Sequence, residues 1–345
     1  MPRSDLRAFV LRVIVVLALI ACAWLLCTLS GLLLMVFGAI VLAVLLRAMT
    51  DWVRRWVPIS EGWALALVVV VVAVGLGALL WLFGSQLASE LSALQRSLPS
   101  AWGRFHDWLA SGPLGPTLEE LGRQAPQRVS NLAPRAGAFA LSITGGVANV
   151  FLVLVGAVYL AAQPGLYRRG VLLLVPADAR ATLDAALQAS GVALRLWLRG
   201  QLLAMAVVGV LTGLGLWALG IPGALALGII AGMLDFVPIV GPIVAAVPAI
   251  LLGFTVSPQM ALATAALFVI VQQIEGNLLL PLIQQRSVDL PPVLLLFSLF
   301  GIGMLLGPAG VLLAAPLTVV AFVLVKRLYV QEALQAPTRV PGQLQ

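Results

Sequence analysis

Charged side chains are scarce in this chain, at 10% of 345 residues, against roughly 25% in ordinary globular domains. With 62% hydrophobic residues and a mean hydropathy of +1.10, a soluble protein built on one buried core is excluded. Histidine occurs once, as His106, outside the most apolar stretches. It reads as a solvated or interfacial ring rather than a proton relay. No HExxH, GxSxG or Walker A motif occurs, and only Asp235 is an aspartate deep in an apolar run. Intramembrane hydrolysis and ATP hydrolysis therefore find no catalytic set. The two cysteines, Cys22 and Cys27, lie in one apolar run, about 140° apart on a helix, which suits inert thiols and neither a disulfide nor a metal site. The formal charge of +7 comes without a basic stripe interleaved with aromatics, so nucleic acid is not a partner. No catalytic residue, metal or cofactor is assigned.

What the chain has instead is long apolar runs. A spanning helix needs about 20 apolar residues, and the sequence predicts an all-α, polytopic membrane protein of about eight spans, with lipid as its surroundings. Residues 1–84 hold spans one to three. Arg3, Arg7 and Arg12 lead into a run to Leu29 that looks like a signal peptide, and Leu19-Ile20-Ala21-Cys22 resembles a lipoprotein cleavage site. Cleavage there would leave more membrane helix behind Cys22, so an uncleaved first span is the reading. A second span runs to about Leu46. The basic, Trp-rich hairpin MTDWVRRWVPISEGW follows, and then a third span from Trp63 to Phe83.

Residues 85–140 form an amphipathic insertion, with Trp102, Phe105, Trp108 and Leu109 on one helical face. A fourth span covers about 140–162. In the polar section 163–201, Pro176 and Asp178 read as the start of an interfacial helix over 176–200, with a stripe of Leu183, Leu187, Leu194 and Leu198. A fifth span, 202–219, carries Gly209 and Gly213 as a GxxxG, a pattern repeated at Gly228/Gly232 and Gly303/Gly307 that suits close helix approach. Residues 141–330 make the membrane core and 331–345 a loose polar tail. With the N-terminus, 47–61, 163–201, the Arg286 turn and the C-terminal end inside, fifteen of the 20 basic residues face the cytoplasm and five the outside. The positive-inside rule therefore puts both termini in the cytoplasm.

The function is expected in 222–316. This stretch is apolar yet interrupted by many prolines, and it holds two acids inside apolar runs, Asp235 in MLDFVPIVGP and Glu275 in VQQIEGNLLLP. Broken backbone in hydrocarbon survives only where it is buried in protein or lines a wet cavity, and an acid there implies a role. The predicted breaks are Pro238, Gly241, Pro242, Gly276, Pro281, Gly307 and Pro308, with half-length or re-entrant helices in 222–256 and 290–330. If both segments descend from the outer face, each acid lies about 20–25 Å along its run at a rise of about 1.5 Å per residue, so the two reach similar depths. Gln272, Gln273 and Asn277 surround Glu275 with amides pointing in different directions, as at a helix end beside a cavity. Freed carbonyls around Pro238 could coordinate a cation or hydrogen-bond a polar solute, and either acid is a candidate proton carrier. The structural alternatives are that Asp235 caps a broken helix and that Glu275 pairs with Arg286 or another arginine to hold the bundle together. Asp289 reads as an interfacial turn residue. Gly241-Pro242…Pro248 recurs as Gly307-Pro308…Pro316, which fits paired broken hairpins, while the unequal spacing speaks against a true repeat.

Residues 175–325 carry a resemblance. LDFVPIVGPIVAAVPAI, followed by QQIEGNLLLPLIQQRSVDLPPVLLLFSLFGIGMLLGPAGVLLAAPLTVV, is similar to the signature half of the autoinducer-2 exporter family of PerM-like permeases. The earlier LRGQLLAMAVVG and LGIPGALALGIIAG segments match in order and spacing, and the first half matches in layout. The resemblance implies a multi-pass bacterial inner-membrane protein, a homo-oligomer, that moves a small polar solute or a cation such as H+ or Na+. It would act as a gradient-driven exporter or antiporter. A passive channel or scaffold, with the prolines only shaping a pore, is the competing class.

Overall fold

The computed structural model describes residues 28–75, 147–279 and 290–336, with isolated positions between 13 and 25 and at 77 and 281. Much of the first span, with both cysteines, the end of the third, the 85–140 insertion with His106, and Arg286 and Asp289 lie outside the described residues.

Every regular element among the described residues is a helix. In chain order they are α1 (Ser30–Trp56), α2 (Glu61–Gly75), α3 (Val147–Ala162), α4 (Pro164–Leu173), α5 (Arg180–Ala218), α6 (Ala224–Leu234), α7 (Val240–Val256), α8 (Pro258–Ile274) and α9 (Pro292–Leu324). A π-helical turn, Glu275–Leu279, extends α8, and another, Val325–Ala333, extends α9. Proline starts α4, α8 and α9 at positions whose N–H would be unpaired anyway. Ser257 caps α8 by accepting from the Met260 N–H at 3.1 Å. Among the described residues, four helical stretches are long and apolar enough to cross a membrane, α1, α5, α8 with its π turn and α9 with its own, the last being folded back on itself at Gly307. A fifth results if α3 and α4, bent by 91° at Gln163, are taken as one. That is fewer than the eight or so expected from the sequence. Much of the expected first span and the end of the third lie outside the described residues, and α6 and α7 are shorter apolar helices.

The surface is inverted relative to a soluble protein. Met304, Leu305, Leu225 and Trp217 are at least 75% exposed, while the buried positions are dominated by alanine. Small residues inside and large apolar ones outside suit helices that pack in lipid. The closest packing joins α5 to α6. A Cβ on Gly228 would lie 2.5 Å from the Gly213 Cα and 2.8 Å from the Gly209 carbonyl oxygen, and one on Gly232 would lie 2.5 Å from the Met205 oxygen. The first two GxxxG pairs thus face each other backbone to backbone. The third does not act this way, since Gly307 sits in a reversal of the chain.

That reversal makes α9 a hairpin. Gly307 has φ 67° and ψ −156°, outside the helical region, and the Ser298 and Thr318 hydroxyls are 2.8 Å apart. In a straight helix, 20 residues would separate them by about 30 Å. Residues 292–306 and 308–324 therefore run antiparallel, with Gly303 packed near Val311. Pro308, which cannot donate to the preceding turn, ensures that the two halves do not merge.

The polar section differs from the expectation. The helix starts at Arg180, after a turn at 177–179, and runs through Gln201 without a break to Ala218. The interfacial helix and the fifth span are one 39-residue helix. Its leucine stripe does not face a membrane surface, because Leu194 and Leu198 are buried against α1 and α9, around Val41, Leu313 and Val320. The charged residues at this end tie the helices together. Arg47 reaches Glu61 at 2.5 Å and donates to the Ala161 carbonyl at 2.6 Å, linking α1, α2 and α3. Arg195 pairs with Asp51 at 3.5 Å and Arg168 with Asp184 at 3.1 Å, adding α5 and α4 to the same polar layer.

Candidate functional site

The backbone breaks at 235–239, between α6 and α7. Asp235 ends α6, Pro238 removes a donor, and Val240 N–H bonds back to the Pro238 carbonyl at 2.8 Å. Ile239, between them, has φ 71° and ψ −52°, the geometry of the rarer, strained form of γ-turn. A β-branched residue there is an outlier of the kind that concentrates at functional sites. Gly241 and Pro242 belong to the first turn of α7 rather than to the gap itself. Gly241 is nonetheless required, because a Cβ would collide with the Leu234 carbonyl oxygen.

Sequence reasoning expected freed carbonyls here, and the structure accounts for most of them locally. The carbonyls of Met233, Leu234, Val237 and Pro238 each accept a bond from a nearby N–H, and that of Asp235 accepts from the Gln201 amide at 2.8 Å. The available group is the side chain of Asp235. It is fully buried, and neither carboxyl oxygen has a hydrogen-bond partner among the described residues. A buried carboxyl in that state must carry a proton or take its partner from outside the chain. The cap reading remains part of the picture, since Asp235 does terminate α6, but its side chain caps nothing.

Glu275 opens the π turn at the end of α8 and is 6% exposed. Its Oε2 accepts from the Gln272 amide at 2.6 Å. The π turn that carries Glu275 touches α5, the helix whose Gln201 holds the Asp235 carbonyl. The two acids, 40 residues apart in sequence, thus both sit at helix ends placed against α5. Gln273 and Asn277 do not join them. They bond to each other at 2.8 Å and are exposed, as are Gly276 and Pro281. Gly307 and Pro308 form the α9 turn.

Gln201 was not singled out from sequence. Its signal was a lone amide entering an apolar span, one helical turn after Trp197. The structure uses both, with Gln201 holding the Asp235 carbonyl and Trp197 packing edge-on against Phe236 at 5.9 Å. Helix α5 is therefore the post against which the break is fixed.

Apolar helices with lipid-type surfaces, interrupted beside buried acids, define a polytopic α-helical membrane protein with discontinuous helices. The chain belongs to the AI-2E family transporter group, which matches residues 13–329, and that family is one of transport proteins rather than enzymes. It is 30% identical to MT0215 of Mycobacterium tuberculosis over 319 residues, 90% of this chain and 86% of the relative. It is 25% identical to the AI-2 transport protein TqsA of Escherichia coli over 82% of each chain. Its match to YrrI of Bacillus subtilis is 40% identical but spans only about a third of either protein, 36% of this chain and 35% of the relative.

Proposed function

We propose that this protein is a gradient-driven permease of a bacterial inner membrane, moving a small polar solute or a cation past Asp235 and Glu275. The observation that carries this reading is the fully buried Asp235 carboxyl, unpartnered at both oxygens among the described residues, with a second buried acid, Glu275, on a turn packed against the same helix α5. A structural acid would be expected to have partners. A transport acid needs its partner to come and go. In this reading the solute or ion binds Asp235 at the end of α6, Glu275 adjusts the local charge, and Gln272 orients the Glu275 carboxyl. The strained turn at Ile239 supports a backbone with two arrangements, as alternating access requires.

The neighbouring AI-2 transporter makes an autoinducer-2-like polar solute one candidate cargo, and two acids make H+ or Na+ another. The polar layer at Arg47, Arg54, Arg168 and Arg195 supports the cytoplasmic end, with both termini inside. Assembly as a homo-oligomer belongs to the same reading. The test is a transport screen of the purified chain in proteoliposomes with an imposed proton or sodium gradient. Saturable flux that depends on one gradient is expected. Flux linear in concentration and indifferent to both gradients would favour a passive pore.

A further inference from the structure

A cavity of about 670 Å³ lies between α1, α2 and α5, and neither Asp235 nor Glu275 lines it. Its wall is apolar over most of its length, with Leu45 and Met49 from α1 and Leu67 and Val71 from α2. Two arginines also line it, Arg55 from α1 and Arg199 from α5, together with Trp52. These arginines are unlike their neighbours. Arg47 and Arg54 reach Glu61, Arg168 reaches Asp184, and Arg195 reaches Asp51. Arg55 and Arg199 have no ion pair or hydrogen bond among the described residues, and both are exposed.

The groove therefore has a direction. Along α1 the lining changes from Leu45 through Met49 and Trp52 to Arg55 over ten residues, about 15 Å at the helical rise. Along α5, which the Arg195–Asp51 pair fixes to α1 at the polar layer, Arg199 gives way to Leu202 one turn deeper. Trp52, Trp56 and Trp63, all more than 60% exposed, mark the same end as the level where indoles meet headgroups. A guanidinium at the headgroup level with no partner among the described residues is free to take an anionic group. Here two of them share a groove whose remainder suits hydrocarbon.

We infer that this groove binds an anionic phospholipid, with its phosphate at Arg55 and Arg199 and an acyl chain along Leu45, Met49, Leu67 and Val71. Guanidinium matches phosphate geometry, and basic pockets between membrane helices take anionic headgroups. The bound lipid would fill the space between the α1–α2 hairpin and α5, the helix that holds the break. This inference does not depend on what the protein transports.

The test is native mass spectrometry of the detergent-purified full chain, titrated with phosphatidylglycerol, with phosphatidylcholine of the same chains, and with inorganic phosphate as competitor. With about 1 kcal/mol for each arginine near the surface and 1.4 kcal/mol per tenfold, phosphatidylglycerol should bind about thirtyfold more tightly than phosphatidylcholine. R55Q/R199Q should remove that preference while leaving the chain monodisperse. L67W, which fills the apolar part and leaves both arginines, should lower occupancy by phosphatidylglycerol, and it decides the matter if the double variant aggregates. Equal retention of the two lipids would overturn the inference. So would displacement by millimolar inorganic phosphate, a preference that survives R55Q/R199Q, or full occupancy in L67W.

Discussion

The fold-back of α9 can be tested by a covalent link that a straight helix forbids. In S298C/T318C, with Cys22→Ser and Cys27→Ser removing the native thiols, the two new sulfur atoms would occupy positions now 2.8 Å apart as hydroxyls. Disulfide sulfurs sit about 2.05 Å apart, with Cβ atoms about 3.5–4.5 Å apart, so the pair needs only a small adjustment. An uninterrupted helix would hold the same residues about 30 Å apart, far beyond any side-chain reach. Mild oxidation in membranes should therefore give an intrachain disulfide, read as loss of maleimide labelling without a dimer band and as a linked peptide by mass spectrometry. Closing a loop of this size should also stabilise the chain by about 3 kcal/mol on the chain-entropy account. The oxidised form should thus melt above the reduced one in a thermal scan. Two thiols that stay free under oxidant but label readily after unfolding would refute the hairpin, as would a link found only between chains.

Two further substitutions test packing and strain. G228A places a methyl 2.5 Å from the Gly213 Cα, so α5 and α6 must separate. Overpacking typically costs about 1–3 kcal/mol, and the detergent-solubilised protein should lose thermal stability. An unchanged or raised midpoint would mean the two helices are not in backbone contact. I239G relieves a positive φ of 71°, which costs on the order of 1–3 kcal/mol at a non-glycine residue. The variant should keep or gain stability despite losing a side chain that is 45% exposed. A marked drop would show that Ile239 packing outweighs its strain.

How much was legible in the sequence depended on the kind of signal. The interruption at Pro238 and the discontinuity at Gly307-Pro308 could be read from composition, although proline alone does not mark a break, since Pro248 and Pro316 lie inside helices. The direction of the chain after a break could not, because it is set by tertiary contacts such as Ser298 with Thr318. The GxxxG pairs at 209/213 and 228/232 were visible as small-residue spacing, but only the structure shows that they face each other. The helix over 180–218 was cut in two because Arg195 and Arg199 looked like the edge of a membrane surface. In the structure Arg195 is held by Asp51, and the leucine stripe finds α1 and α9, so the charges do not end the helix. The amides near Glu275 divided for a similar reason. Helical spacing puts Gln272 within reach of Glu275, while Gln273 and Asn277, four residues apart, satisfy each other on the outer face.

The central claim is that a carboxyl buried at a helix break carries the transported species. D235N changes one oxygen to an amide and leaves the Gln201 bond to the backbone carbonyl, which does not involve the side chain, in place. Gradient-driven flux in proteoliposomes, measured for wild type, D235N and E275Q at equal incorporation, tests this most directly. The account predicts that D235N abolishes flux and that E275Q lowers it at least tenfold, with both variants eluting and melting like wild type. Undiminished flux in a correctly folded D235N would contradict it.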